Sequence, residues 1–157
     1  MQNFWVRLVF FLILNFGALA IGSFLMDDGP LGSWYQELIR APWEPPGWVF
    51  GVAWTLIMLC FSIFMAAVTR PDKVNRQRII VIYILQLFLN IGWNPVFFKW
   101  HMTLPALIVI TSLLIVVFTL FREGKIGEDK PTALLLLPYI IWLCIAISLN
   151  AYVVAMN

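Results

Sequence analysis

Five apolar stretches, each about as long as a bilayer is thick, constrain this chain more than any other feature. They run from about Phe4 to Met26, Gly47 to Thr69, Arg78 to Phe98, Met102 to Phe121 and Pro131 to Ala155. A helix needs roughly 20 apolar residues to cross the hydrocarbon core. Isolated strands cannot satisfy their backbone groups in lipid, so the spans must be helical. The sequence therefore predicts an all-α membrane protein, one bundle of five transmembrane helices formed by residues 1–157.

The composition favours the same class. Of the 157 residues, 62% are hydrophobic and 11% are charged, against about 25% charged in a soluble domain. The net charge is only +2, and no dense basic run is present, which argues against nucleic acid as a partner. Cys60 and Cys144 lie inside apolar stretches, without metal-ligand spacing, and are interpreted as small buried hydrophobes.

Basic residues in the loops predict the orientation, because cytoplasmic loops carry an excess of Lys and Arg. One side of the membrane holds eight of them: Arg7, Arg70, Lys73, Arg76, Arg78, Arg122, Lys125 and Lys130. The other side holds only Arg40 and Lys99. We therefore expect the N-terminus in the cytoplasm and the C-terminus outside it.

The first apolar stretch has a second interpretation. Residues 8–16, followed by Ala18-Leu19-Ala20, loosely resemble a secretory signal peptide with its cleavage site. A single preceding Arg, and apolar sequence that continues to Met26, favour a membrane span instead. Ala18 and Gly22 have the small-xxx-small spacing that lets another helix approach closely.

The longest connection, residues 27–46, has the features of an ordered loop. Ser33 and Gln36 have the spacing of a helix capping box, which predicts a short helix to about Arg40. The prolines that follow would stop this helix and stiffen the chain before the second span: Pro42, Pro45 and Pro46. We expect this segment to form a rigid lid over one end of the bundle.

The spans contain amides and indoles rather than charges. On the third span Gln86, Asn90 and Asn94 repeat every four residues, which places them on one helix face, flanked by Trp93 and Phe97. Amides in membrane helices often only cross-link helices. Indoles from three spans, together with the Asn90 amide, would alternatively line one apolar pocket with a few polar groups, as sites for large flat ligands do.

The remaining candidates lie on the other spans. On the second span, Phe50, Trp54 and Phe61 share a side, and Gly47 and Gly51 would let a neighbour or ligand approach. Helical spacing on the fifth span relates Tyr139, Trp142, Ala146 and Asn150, and Asn15 is the lone amide of the first span. The full set of candidate ligand-binding residues is Tyr35, Pro45, Pro46, Trp54, Asn90, Trp93, Phe97, Tyr139, Trp142, Ala146 and Asn150.

Several site classes are excluded or disfavoured. No acidic or basic residue lies in mid-membrane, which argues against a proton-coupled pump or an ion channel. His101 is the only histidine, so neither a two-histidine metal site nor a Ser-His-Asp triad can form. We expect His101 to lie at the membrane interface, with a haem axial ligand as the alternative. No metal site is predicted.

Three motifs in order along the chain resemble one family. Residues 34–54 contain Trp-Tyr-x-x-Leu, then Pro-Trp-x-Pro-Pro, then Trp-Val-Phe and Trp54. Residues 86–98 contain Gln86, Asn90 and Trp-Asn-Pro-x-Phe-Phe, and residues 138–150 contain Pro-Tyr-x-x-Trp and Asn150. This pattern is similar to that of the tryptophan-rich sensory protein/translocator protein family, also called the peripheral-type benzodiazepine receptor. The short loops resemble those of bacterial members.

The resemblance implies a five-helix bundle, usually a homodimer, that binds porphyrins such as protoporphyrin IX and haem. It implies pocket positions at Tyr35, Trp54, Asn90, Trp93, Trp142 and Ala146. We therefore expect a membrane receptor or sensor for a flat apolar ligand, with a role in tetrapyrrole transport or stress regulation. It would need no cofactor, and its partners would be the ligand, membrane lipid and a second copy.

An enzymatic alternative also follows from the resemblance, since some members promote light-dependent oxidative degradation of protoporphyrin. Residues matching Trp54 and Trp142 are implicated, and these are the only catalytic candidates. Two departures from the family pattern matter. Ala41, rather than proline, follows Arg40, and the sterol motif around Tyr152 lacks its C-terminal basic residue. Arg40 is the cation that we expect near the carboxylates of a bound porphyrin.

Overall fold

A computed structural model describes residues 3–126 and 131–157 of the chain. Its helices are α1 (Phe4–Leu25), α2 (Ser33–Glu37), α3 (Gly47–Val68), α4 (Arg76–Asn94), α5 (Thr103–Gly124) and α6 (Leu137–Met156). Turns of 3-10 helix cover Gly29–Leu31 and Thr132–Leu136, and a π-helical turn covers Pro95–Lys99. Within the described ranges, five helices are long and apolar enough to cross a membrane. The predicted five-helix membrane bundle is confirmed.

Hydroxyl groups inside the spans do not interrupt the helices. Thr55, Ser62 and Thr119 each donate a hydrogen bond to the carbonyl four residues earlier, at 2.8, 2.7 and 2.8 Å. A polar group in hydrocarbon is costly unless it is hydrogen-bonded, and this local bond satisfies the hydroxyl donor within its own helix. The spans therefore tolerate these hydroxyl residues without a break in the helix.

The long helices form a closed ring. α1 packs against α3 and α4, α5 packs against α4 and α6, and α3 and α6 meet to complete it. The half of the ring near the start of α1 is filled by large apolar side chains, among them Phe61, Phe64, Met65, Leu120 and Leu143, all with no exposed surface. The other half is hollow, and the segment between α1 and α3 covers it.

Short polar contacts join the helices and loops at the filled end. Arg7 Nε donates to the Ala66 carbonyl at 2.8 Å, and Lys73 Nζ donates to the Ile126 carbonyl at 2.7 Å. The buried Glu123 carboxylate accepts from Asn75 Nδ2 at 2.6 Å. Seven of the eight basic residues predicted for one side belong to this end, whereas Lys130 lies outside the described residues. The order of the helices alone brings them together.

The capping box predicted in the first loop is wrong. Ser33 is the first residue of α2 rather than its cap, and the helix has no side-chain cap. Gln36 instead donates from Nε2 to the Pro30 carbonyl at 2.6 Å, because the 3-10 turn before α2 brings that carbonyl within reach. The helix also stops at Glu37, short of the predicted Arg40, since the backbone is already extended at Leu38.

Candidate functional site

The hollow half of the ring encloses a cavity of about 1090 Å³. Its walls come from all five long helices, and the segment of residues 27–46, here called the lid, covers one end. Gly47 and Gly51 belong to the wall, and a Cβ added at either would meet nothing within 4 Å. These glycines therefore leave room for the cavity and not for a neighbouring helix. Of the two roles predicted for them, this is the one that would let a ligand approach.

Three indoles from three helices meet on this wall. Trp54 of α3, Trp93 of α4 and Trp142 of α6 all line the cavity. Each is held by another ring: Trp54 lies edge-on to Tyr139, Trp93 stacks on Phe97 at 5.1 Å, and Trp142 lies edge-on to Phe50. The arrangement gives the cavity aromatic surfaces in fixed orientations, which is what stacking of a flat ring system requires.

The amide of Asn90 adds a polar group to this wall, and Tyr139 stands behind it. Asn90 lines the cavity. Tyr139 is buried and does not reach the cavity, but its hydroxyl donates to Asn90 Oδ1 at 3.3 Å and accepts from Gln86 Nε2 at 2.8 Å. Of the predicted site residues, Tyr139 is thus a support for the wall rather than part of it.

Phe97 and Asn150 belong to a neighbouring pocket of only about 50 Å³. Both polar atoms of the Asn150 amide are engaged: Oδ1 accepts from Trp93 Nε1 at 3.2 Å, and Nδ2 donates to the Thr103 carbonyl at 3.0 Å. The cross-linking role that the sequence analysis left open for such amides therefore describes Asn150. Ala146 lines both the small pocket and the large cavity.

The lid contributes Tyr35, Ala41, Pro45 and Pro46 to the cavity wall. The Tyr35 hydroxyl donates to Glu44 Oε1 at 2.6 Å. Burial, together with this hydrogen bond to a carboxylate, raises the pKa of Tyr35 above its ordinary value. The hydroxyl consequently stays protonated, and remains a donor to Glu44, throughout the physiological pH range.

Arg40 lies on the cavity wall, as a cation near a bound carboxylate would have to, and it is paired with an acidic residue of the lid. Its Nη1 atom forms an ion pair with Glu44 Oε2 at 3.4 Å, and its guanidinium stands 5.3 Å from the centre of the Tyr35 ring. The sequence places Glu44 four residues later, but only the fold of the lid brings both groups together with Tyr35. The guanidinium of Arg40 is thus already engaged by residues of its own segment.

Contacts to other elements hold the lid in place. Asn157 accepts from the Ile39 N–H at 3.0 Å, and the Trp43 indole donates to Ser148 Oγ at 3.2 Å. The Trp34 ring stacks on His101 with 4.1 Å between their centres. His101 does not line the cavity, so it is not positioned to ligate an iron bound inside. These attachments agree with the expectation of an ordered lid.

Residues outside the predicted set also line the cavity. Asn94 does so one helical turn beyond Asn90, and Ala18 and Ser23 do so on the adjacent helix α1. The four-residue repeat of amides on α4 was the signal that pointed to Asn94. Gly22 packs directly against Asn94, since a Cβ at this position would lie 2.7 Å from Asn94 Nδ2. Of the small-xxx-small pair of α1, Ala18 thus lines the cavity and Gly22 allows close packing against α4.

Membrane-spanning helices arranged around an aromatic-walled internal cavity with an ordered lid define this chain as a polytopic membrane protein with an internal cavity. Comparison with known proteins identifies its relatives. The chain belongs to the TspO/MBR family, whose model matches residues 9–156.

Named relatives come from bacteria and from mammals. The chain is 32% identical to the tryptophan-rich protein TspO of Chlorobaculum tepidum over 131 residues, 82% of each chain. It is 30% identical to the tryptophan-rich sensory protein of Cereibacter sphaeroides over 98% of this chain and 92% of the relative. The translocator protein of Bos taurus is 28% identical over 93% of this chain and 87% of its own length. The family resemblance drawn from the three motifs is confirmed.

Proposed function

We propose that this protein is a membrane receptor or sensor that binds porphyrins, such as protoporphyrin IX or haem, or similar flat hydrophobic molecules in the lidded cavity. The observation that carries the proposal is the convergence of Trp54, Trp93 and Trp142 on one cavity of about 1090 Å³. Ligand cavities usually measure about 300–1,000 Å³ and have mostly apolar, aromatic walls with few polar groups. The space is therefore ample for a tetrapyrrole.

Two further considerations support this ligand class. Aromatic rings prefer offset-stacked or edge-on contacts, and a porphyrin macrocycle offers a large face and a long edge for both. The names of relatives, tryptophan-rich sensory protein and translocator protein, agree with roles in sensing or in the movement of a ligand. Tetrapyrrole transport or stress regulation is accordingly the physiological setting that we propose.

A fluorescence titration tests the proposal. Protoporphyrin IX added to the purified protein in detergent should quench tryptophan emission in a saturable manner. Trp54→Phe and Trp142→Phe should each reduce the amplitude of the quenching and weaken binding. Trp48→Phe is the matched control, because Trp48 is 71% exposed and lies outside the cavity wall. Linear, non-saturating quenching, or equal effects of all three substitutions, would refute the proposal.

The alternative is a light- and oxygen-dependent porphyrin-degrading enzyme, and one observation favours it. Trp54 and Trp142, the two catalytic candidates, both line the cavity, where a photoexcited macrocycle would contact them. Illumination of the porphyrin complex in air, followed through the Soret band, separates the two functions. A defined product whose formation needs Trp142 would support an enzyme, whereas bleaching at the rate of free porphyrin would support a receptor.

The assembly and the orientation are part of the same proposal. We expect a homodimer, as the family resemblance implies, and a cytoplasmic N-terminus, as the basic residues at the filled end predict. The lid then lies on the extracytoplasmic side, where ligand would reach the cavity. Light scattering coupled to size-exclusion chromatography measures the mass of the protein in detergent, and a monomeric mass would contradict the dimer.

A further inference from the structure

The cavity face of α4 carries two amides one helical turn apart, Asn90 and Asn94. We infer that these amides form the polar recognition edge of the site and select ligands that carry hydrogen-bond acceptors, a carboxylate above all, on one edge. The inference rests on the proposed function and specifies which flat molecules the cavity prefers. Side chains four residues apart on a helix have Cβ atoms about 5–6 Å from each other. Both amides can therefore reach the two oxygens of one carboxylate.

The direction of the hydrogen bonds behind Asn90 sets its chemistry. Gln86 Nε2 donates to the Tyr139 hydroxyl at 2.8 Å, and this hydroxyl donates its single proton onward to Asn90 Oδ1 at 3.3 Å. Gln86 and Tyr139 are both 1% exposed, so water does not compete for these bonds. Because its oxygen is engaged by Tyr139, Asn90 presents its NH₂ group, a pure donor, to the cavity.

Asn94 is the second amide of this edge, and packing rather than hydrogen bonding holds its side chain in place. Among the described residues, neither polar atom of this side chain has a hydrogen-bond partner, although the side chain is half-buried on the cavity wall. The amide of Asn94 is therefore available to a ligand, and its NH₂ group can donate a hydrogen bond to a ligand acceptor. Gly22 fixes the position of the amide, since its missing Cβ leaves space for Asn94 Nδ2.

Three other polar groups on the wall already have partners within the protein. The Trp93 indole N–H is bound to Asn150 at 3.2 Å. Arg40 and Tyr35 are both bound to Glu44, whose carboxylate would repel that of a ligand. The acceptor edge of a ligand is therefore expected between the lid-facing ends of α1 and α4, where Gly22 meets Asn94, and not beneath Arg40.

Two porphyrins of similar size separate this inference from the proposed function. Protoporphyrin IX carries two carboxylates, whereas octaethylporphyrin has a purely apolar periphery. The wild-type protein should bind protoporphyrin IX more tightly. Asn94→Leu should weaken protoporphyrin IX binding about tenfold, the usual effect of losing a hydrogen bond to a charged group. Tyr139→Phe should weaken it in the same direction, because Asn90 Oδ1 loses the donor that orients its amide. Binding of octaethylporphyrin should stay within about twofold of wild type on the same scale.

One further variant tests the amide edge, and two others serve as controls for folding. Gly22→Ala should weaken protoporphyrin IX binding selectively, because the new Cβ displaces only the flexible end of Asn94. Gly17→Ala on the same helix meets nothing within 4 Å and should leave both affinities unchanged. Tyr83→Phe removes a hydroxyl that is bound to Asn15 in the filled half, and it should not alter the preference between the two porphyrins.

The outcomes are distinct. Selective weakening of protoporphyrin IX by Asn94→Leu, Tyr139→Phe and Gly22→Ala supports the amide edge. Equal loss of both porphyrins, or no loss of either, overturns it. Wild-type protein that binds both porphyrins equally well also overturns the amide edge while leaving the receptor function intact. Wild-type protein that binds neither porphyrin refutes the proposed function itself.

Discussion

A hydrogen bond between two lid residues, Tyr35 and Glu44, offers a quantitative test of what keeps the lid closed. Tyr35→Phe removes the hydroxyl that donates to Glu44 Oε1 at 2.6 Å and leaves the ring in place. A hydrogen bond to a charged group contributes about 1.5–3 kcal/mol. Tyr35 is only half-buried, so we take the lower end of this range. A loss of about 1.5 kcal/mol raises the fraction of protein with an open lid roughly tenfold.

Hydrogen exchange followed by mass spectrometry measures this fraction directly. The amides of Ile39 and Glu44 are hydrogen-bonded in the closed lid, to Asn157 and to the Ala41 carbonyl. Their exchange should accelerate about tenfold in Tyr35→Phe, because exchange reports the population of the locally open state. Exchange in the middle of α5 should not change, since those bonds do not depend on the lid.

Tyr152 provides the matched control for this measurement. Its ring packs edge-on against Trp43 of the lid with 5.3 Å between centres, but within the described structure its hydroxyl makes no hydrogen bond. Tyr152→Phe should therefore leave lid exchange unchanged. Equal acceleration in both variants, or none in Tyr35→Phe, would show that the bond between Tyr35 and Glu44 does not hold the lid.

Three further predictions concern stability and orientation. Tyr83→Phe should lower the unfolding temperature in detergent, because Asn15 Oδ1 loses its donor at 2.8 Å and the free energy of unfolding falls by about 1 kcal/mol. Gly124→Ala should destabilise by about 1–3 kcal/mol, since its Cβ would lie 2.6 Å from the buried Phe64 ring, whereas Gly92→Ala meets nothing within 4 Å and should not. Alkaline phosphatase fused to the C-terminus should be active in cells, and an inactive fusion would contradict the predicted orientation.

The architecture could be predicted from sequence because the bilayer imposes a length and an apolar composition on each span. The predicted ranges lie close to α1, α3, α4, α5 and α6. The convergence of three indoles was also predicted, from spacing on single helices and from the family motifs. The lid was anticipated only in outline, since its cap, its end and the pairing of Arg40 with Glu44 depend on contacts that the local sequence does not encode.

Local sequence thus determined that this chain crosses the membrane and which helix faces carry amides and indoles. Only the tertiary structure decided which of those groups reach the cavity and which serve as supports, as the contrast between Asn90 and Asn150 shows. The physical reason is that lipid and protein interior are both apolar, so polarity does not mark the inward face of a membrane helix. Phe61 is fully buried and Phe88 is 71% exposed, although both are phenylalanines in the middle of a span.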